Sequence, residues 1–208
     1  MSEIHITNTR PEHLAALAEH QRICYPTLAD YELMNEEHFA AHLRLFPEGQ
    51  HVALDGDRVV GQSSTFRLSE AQAFAPHTFH DIQAGGWFTN HNPLGEWLYG
   101  ADTSVHPEYR GQKVANKLYN ARKDLIRTLS LRGMLAGGML PGYNAHKDTM
   151  SVDEYVERVV RGELADPTLT PQLRNGFVVR GIMPNYIDDA RITHHATLIV
   201  WENPDYRP

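Results

Sequence analysis

Apolar positions recur along the chain with two periods, and the switches between them outline the elements. Ile4 and Ile6 alternate with polar neighbours in EIHITNT, which predicts a half-buried strand. Pro11 stands where a helix would begin. Leu14, Leu17 and Ile23 then form a helical stripe running to about Cys24, before Tyr25-Pro26. Asn35 is expected as an N-cap, with Glu36 and Glu37 in the favourable first turn and Phe39, Leu43 and Phe46 on one face. In QHVALDGDRVVGQSSTF, Asp55-Gly56 separates two strand-like runs and predicts a hairpin.

Residues 69–94 keep no sustained period. They are rich in aromatic residues, histidine and glycine, and predict a long irregular excursion with a short helical turn near 79–83. The run 96–105, EWLYGADTSV, is a strand stopped by His106-Pro107. After Gly111, Val114, Leu118, Ala121, Leu125 and Leu129 recur at helical spacing until Arg132-Gly133. A short apolar strand covers 134–140, Ser151 caps a further helix, a turn lies around 168–175, and strands at 176–182 and 195–201 follow. No repeat, low-complexity tract or linker interrupts this order, so a single domain over 1–208 is expected.

Composition narrows the class. Hydrophobic residues make up 41% of 208 and charged residues 22%, ordinary for a globular protein with a sizeable core. Cys24 is the sole cysteine, which excludes an internal disulfide. MSEIHITNTRPEH has no apolar h-region, and no run approaches the ~18–20 apolar residues of a membrane span. A cytoplasmic location with no membrane partner is the expectation. A formal charge of −7 argues against a general nucleic-acid binder.

That charge is unevenly spread. Residues 109–132 hold Arg110, Lys113, Lys117, Arg122, Lys123, Arg127 and Arg132 against Asp124 alone, a segment of +6 inside a remainder of −13. In the same stretch a strand ends, a turn with Pro107 and Gly111 follows, and a helix begins. Amides at 111–115 would lie at that helix start without intrahelical partners, a site for phosphate or pyrophosphate. The Walker pattern and GxGxxG are both absent, which sets ordinary nucleotide folds aside.

The stretch VHPEYRGQKVANKLYNARKDLI resembles the acetyl-CoA motif of the GNAT acyltransferase superfamily, Q/R-x-x-G-x-G/A following V-x-P-x-x. Arg110 takes the Q/R place, Val114 the variable place and Ala115 the G/A place. Lys113 stands where the family has glycine, and is expected either to keep a helical φ and point away or to contact phosphate itself. QLRNGFVVRGIMPNY resembles the element that closes the family's last helix, with Gln172 where many members carry a proton-donating tyrosine. The ending PNY…ATLIVWENP resembles the GNAT portion of bacterial proteins fused to a carbon–nitrogen hydrolase, with no hydrolase expected after Pro208.

The resemblance implies an α/β (α+β) fold: a mixed, mainly antiparallel sheet of about seven strands flanked by helices and splayed between the strands at 96–105 and 134–140. It implies direct acetyl transfer from acetyl-CoA, as co-substrate, to the amine of a small acceptor. The alternative is a module that binds acyl-CoA without turnover, supported by Lys113 and Gln172. Cofactor contacts are implied at Thr103, Ser104, Val105, Arg110, Gly111, Gln112, Lys113, Val114 and Ala115, with an oxyanion-binding amide near Ser104 or Val105.

An amine of pKa roughly 10 must lose a proton before attack. Asp102 is the preferred base and Glu96 the second, placed on the same strand face by parity. Tyr143, and after it Tyr186, are the candidate acids. The acceptor pocket is expected from loops 25–35, 69–94 and 142–170, with His80 and Asp81 as candidates within it. The thirteen histidines include the pairs His38/His42, His77/His80 and His194/His195, yet no HExxH or CxxC accompanies them and no metal is expected. Cys24 is expected to be a small buried residue. Self-association as a homodimer stays open.

Overall fold

The computed structural model describes residues 3–189 and 193–207. Its strands are β1 (His5–Asn8), β2 (His51–Asp55), β3 (Arg58–Leu68), β4 (Trp97–Val105), β5 (Gly133–Met139), β6 (Val178–Met183) and β7 (Ala196–Glu202). Its helices are α1 (Leu14–Cys24), α2 (Glu36–Leu45), α3 (Glu70–Phe74), α4 (Phe79–Ile82), α5 (Val114–Thr128), α6 (Val152–Val160) and α7 (Leu169–Arg174). The expected hairpin turns at Asp55-Gly56, where Gly56 takes φ +61°. Asn35 caps α2: its Oδ1 accepts the His38 amide at 3.1 Å, and its own amide donates to His38 Nδ1 at 3.2 Å.

The excursion 69–94 holds two short helices rather than one turn. Ser69 starts α3 by accepting the Gln72 amide on Oγ, while Gln72 Oε1 accepts the Ser69 amide at 3.2 Å. Ser-x-x-Gln is a capping-box signature, so this helix was readable. Thr78 Oγ1 caps α4 by accepting the Asp81 amide at 3.1 Å.

One seven-stranded sheet runs in the order β1-β2-β3-β4-β5-β7-β6. Every neighbouring pair is antiparallel except β4 and β5. Those two are joined by a crossover through α5, the connection that parallel neighbours require. Their pairing covers only Trp97–Gly100 against Gly133–Ala136. Beyond it the strands part and leave a fork in the middle of the sheet.

Each face of the sheet buries its own core. Leu17 of α1 and Phe39 of α2 pack with Phe66, Tyr99, Leu135 and Tyr186 on one face. On the other, Tyr119 and Ile126 of α5 pack with Leu98, Met134, Ile199 and the apolar stripe of α6 and α7. The fork lies between these two cores.

Candidate functional site

A bulge shapes the β4 side of the fork. Ser64 pairs with Asp102 and Thr65 with Gly100, so Ala101 is an extra residue on β4. Buried Arg122 of α5 holds it there. Its Nε donates to Ser63 Oγ at 2.5 Å, and its Nη2 donates to the carbonyls of Ser64, at 3.2 Å, and Asp102. The bulge resets strand parity. Leu98 faces α5 and Tyr99 faces α1, but Asp102 and Ser104 face α1, where simple alternation would have turned them to α5. The shared face expected for Glu96 and Asp102 is therefore absent. The bulge falls at Ala101, upstream of Ser104 and Val105, near which the oxyanion-binding amide was expected.

At the mouth of the fork, the chain enters α5 through two left-handed residues, Gly111 at φ +76° and Lys113 at φ +62°. Lys113 does not keep a helical φ, the first of the two states expected of it. It adopts a left-handed conformation that favours glycine, at a cost of about 1 kcal/mol. As N-cap it provides no side-chain acceptor, so the first-turn amides of Val114 and Ala115 have no side-chain cap. The basic segment is less available than its count suggests. Lys117 donates to Ile4 O at 2.8 Å, Lys123 to Asn175 O at 2.7 Å, Arg127 pairs with Asp124 and Asp205, and Arg132 pairs with Glu70 and Glu96. Arg110 and Lys113 are exposed at the helix start, with Gly111 and Gln112 between them.

On the α5 face of the fork, Thr103 and Gln172 lie next to the buried Tyr119. Thr103 Oγ1 and Gln172 Oε1 are buried without a hydrogen bond of ordinary geometry. Burial raises the Tyr119 phenol above its ordinary value and keeps it protonated. Tyr119 lies one place after Leu118 of the apolar stripe of α5, and spacing alone does not single it out. Two buried polar atoms without a hydrogen bond of ordinary geometry, where β4 and β5 part, suit a ligand carrying amide and carbonyl groups.

On the opposite face, Asp102 is enclosed. Tyr25 Oη donates to its Oδ1, and Gln21 Nε2 (2.5 Å) and Gln62 Nε2 donate to Oδ2. Ser104 Oγ is 3.5 Å from the same Oδ2. Burial pushes the Asp102 carboxyl above its ordinary value, with these donors opposing that rise. Ser104 Oγ also meets His20 Nε2 at 3.1 Å, and Cys24 Sγ lies 3.3 Å from that nitrogen. Burial, with His106 nearby, lowers His20 to about 4, and burial with the Asp102 charge pushes the Cys24 thiol up to about 12. Cys24 is half-buried rather than fully enclosed.

Other expected residues lie elsewhere. Glu96 precedes β4 at the closed end of the fork and pairs with Arg132 at 3.3 Å. Tyr143 follows β5, packs against Tyr155 and donates to Met150 O at 3.2 Å. Val105 pairs with Gly61 at the open end of β4. His80 lies 4.0 Å from the buried Glu32, beside Asp81. Among the described residues no group of three or more His, Cys, Asp or Glu could hold a metal ion, and no helix is long and apolar enough to cross a membrane.

No protein-family model matches the chain. A probable hydrolase, YhcX, of Bacillus subtilis (strain 168) is 39% identical over 204 residues, which are 98% of this chain; the chain spans only 39% of that relative. An uncharacterized N-acetyltransferase, YkwB, of the same organism is 32% identical over 97% of this chain and 88% of its own length. Among solved structures, the loading GNATL domain of CurA from Lyngbya majuscula superposes with a TM-score of 0.83 at 17% identity, over 97% of this chain and 98% of that one. The GphF GNAT-like decarboxylase in complex with isobutyryl-CoA gives 0.76 at 20% identity, over 95% and 98%. With a forked, mostly antiparallel sheet, an uncapped helix start at the mouth of the fork and an N-acetyltransferase relative matched over 88% of its length, the chain belongs to the GNAT acyltransferase superfamily.

Proposed function

We propose that this chain transfers an acetyl group from acetyl-CoA to the amine of a small acceptor, acting as one catalytic unit. The observation that carries this is the fork itself. Its α5 face combines a left-handed, uncapped helix entrance flanked by Arg110 and Lys113 with the unpartnered Thr103 Oγ1 and Gln172 Oε1. The entrance amides would take the pyrophosphate. The edges of β4 and β5 beyond their pairing would take the amides of the pantetheine arm.

The thioester would then lie at the Ala101 bulge, where Arg122 holds the backbone against solvent and fixes an amide for the developing oxyanion. Tyr119, protonated and on the same face, is the proton donor for the departing thiolate, in the role left open by Gln172. Asp102 enters as a positioning residue: three donors and Ser104 fill its oxygens, so it holds Tyr25 and Gln62 beside the fork rather than meeting the amine. The N-acetyltransferase name of one relative and the isobutyryl-CoA complex of one fold neighbour support the same chemistry.

Gln172 also favours a second reading, an acyl-CoA-binding module without turnover. Mass spectrometry of pooled amines incubated with the protein and acetyl-CoA separates the two. An acetylated amine formed only with the protein supports the transferase. Binding of acetyl-CoA with no acetylated product across the pool favours the module, and no binding at all overturns both.

A further inference from the structure

A directed chain of hydrogen bonds runs from the fork to the protein surface on the face opposite α5. Gly137 is the first residue of β5 beyond its last pairing with β4, and its amide donates to Tyr186 Oη. The approach is close: a Cβ on Gly137 would lie 2.3 Å from that oxygen, so glycine is required there. Tyr186 Oη lies 3.1 Å from Tyr99 Oη, and Tyr99 Oη lies 2.8 Å from His77 Nε2. His77 Nδ1 lies 2.7 Å from the Ala75 carbonyl.

These contacts set every proton in one direction. A carbonyl only accepts, so Nδ1 of His77 carries hydrogen and Nε2 presents its lone pair. Tyr99 therefore donates to His77, and Tyr186 donates to Tyr99. The Tyr186 oxygen accepts from Gly137 and keeps one lone pair. Tyr99 is 0% and Tyr186 2% exposed, while His77 is half-buried, so the chain links a dry interior to a group that reaches solvent. Tyr186 is held at both backbone ends, its amide donating to His194 O and its carbonyl accepting from Phe79, each at 2.7 Å.

We infer that Tyr186, Tyr99 and His77 form the proton relay that deprotonates the attacking amine. The inference rests on the acyl-transfer reading above. The neutral amine, formed by loss of one proton to solvent, bonds through nitrogen to the thioester carbon as the carbonyl π pair moves to oxygen, giving an oxyanion and a positively charged nitrogen. That nitrogen passes its proton to Tyr186 Oη as the Tyr186 proton moves to Tyr99 and the Tyr99 proton to His77 Nε2. The oxyanion then collapses, the C–S bond breaks, and the thiolate takes its proton from the α5 side. The His77 imidazolium returns its extra proton to solvent.

The surroundings suit a transient acceptor. Burial lowers His77 below its ordinary value, so it starts neutral, and Asp81 opposes that shift and would steady the imidazolium. Besides these, Glu32 faces Tyr186 from the α1–α2 connection, with Asp188 and His80 beside it.

The test uses the full chain with acetyl-CoA and the best amine of the pool. His77→Gln, Tyr99→Phe and Tyr186→Phe are expected to lower kcat at least tenfold, with the KM for acetyl-CoA within about twofold of wild type. His77→Gln lies at a half-buried position and keeps a group able to accept from Tyr99, so it guards against a folding artefact. In wild type kcat/KM should fall more steeply below the lowered His77 titration than protonation of the amine alone would make it, and that extra steepness should vanish in His77→Gln. The proton inventory in mixed light and heavy water should be curved in wild type and straight in Tyr186→Phe. A His77→Gln enzyme with wild-type kcat and an unchanged acidic limb overturns the relay while leaving the transferase intact. Absence of amine acetylation by the wild type overturns the underlying reading instead.

Discussion

A Cβ on Gly100 would lie 2.6 Å from Arg122 Nη1, so the buried guanidinium reaches the β4 backbone only because that strand has no side chain there. Arg122 is 1% exposed and is tied to Ser63 Oγ and to the carbonyls of Ser64 and Asp102. The bulge at Ala101, and with it the facing of Asp102 and Ser104, depends on that arrangement.

Gly100→Ala should therefore destabilise the fold by roughly 1–3 kcal/mol, the usual cost of overpacking. A urea midpoint checks it. An alanine variant as stable as wild type would show that Arg122 does not need the space.

Lys113 gives the opposite sign. Replacing it with glycine removes the left-handed penalty of about 1 kcal/mol at φ +62°. Lys113→Gly should raise the urea midpoint, whereas Lys113→Ala keeps the same φ and should not. Equal midpoints for the two variants would mean that the backbone relaxes.

Tyr119→Phe addresses the departing thiol. The variant keeps the packing against Phe177 and removes one hydroxyl. It should lower kcat about 10- to 100-fold and leave acetyl-CoA affinity unchanged. Steady-state kinetics beside a calorimetric titration checks both halves, and an unchanged kcat removes Tyr119 from the chemistry.

Stability should fall with acidification through the histidines. Burial lowers His20 and His51 to about 4 and His42 to about 3, from an ordinary 6.5. Between those values the unfolded chain binds more protons than the folded one. The contribution is complete above pH 6.5 and is lost as pH falls towards 4, at up to about 4 kcal/mol per pH unit when all three take part. Urea midpoints at pH 7 and pH 5 check the direction, and His51→Gln should make the dependence shallower. A midpoint that does not move would contradict the burial of these rings.

Much of the architecture was legible because it rests on local chemistry. The Asp55-Gly56 turn, the Asn35 cap and the stripe of α5 each declare themselves within a few residues. The parting of β4 and β5 was expected from the family resemblance, and the pairing ends at Gly100 and Ala136. The site was less legible. Parity placed Glu96 with Asp102, but the bulge depends on Arg122, twenty residues later in the chain, and nothing local announces it. Nothing in the sequence pattern singles out Tyr119 or Tyr99. Only the folded sheet brings Tyr119 to Thr103 and Gln172, or joins Tyr99 to His77 and Tyr186. The seven basic residues of 109–132 looked like one anion-binding face, yet several are tied to carbonyls and carboxylates along the helix.

The most direct test of the central claim is release of free coenzyme A thiol from acetyl-CoA, followed continuously with and without amines. Slow release alone is expected, with a saturable, amine-dependent acceleration that falls about 10- to 100-fold when Tyr119 becomes phenylalanine. Release that no amine accelerates, from a protein that acetyl-CoA binds and stabilises, would contradict it.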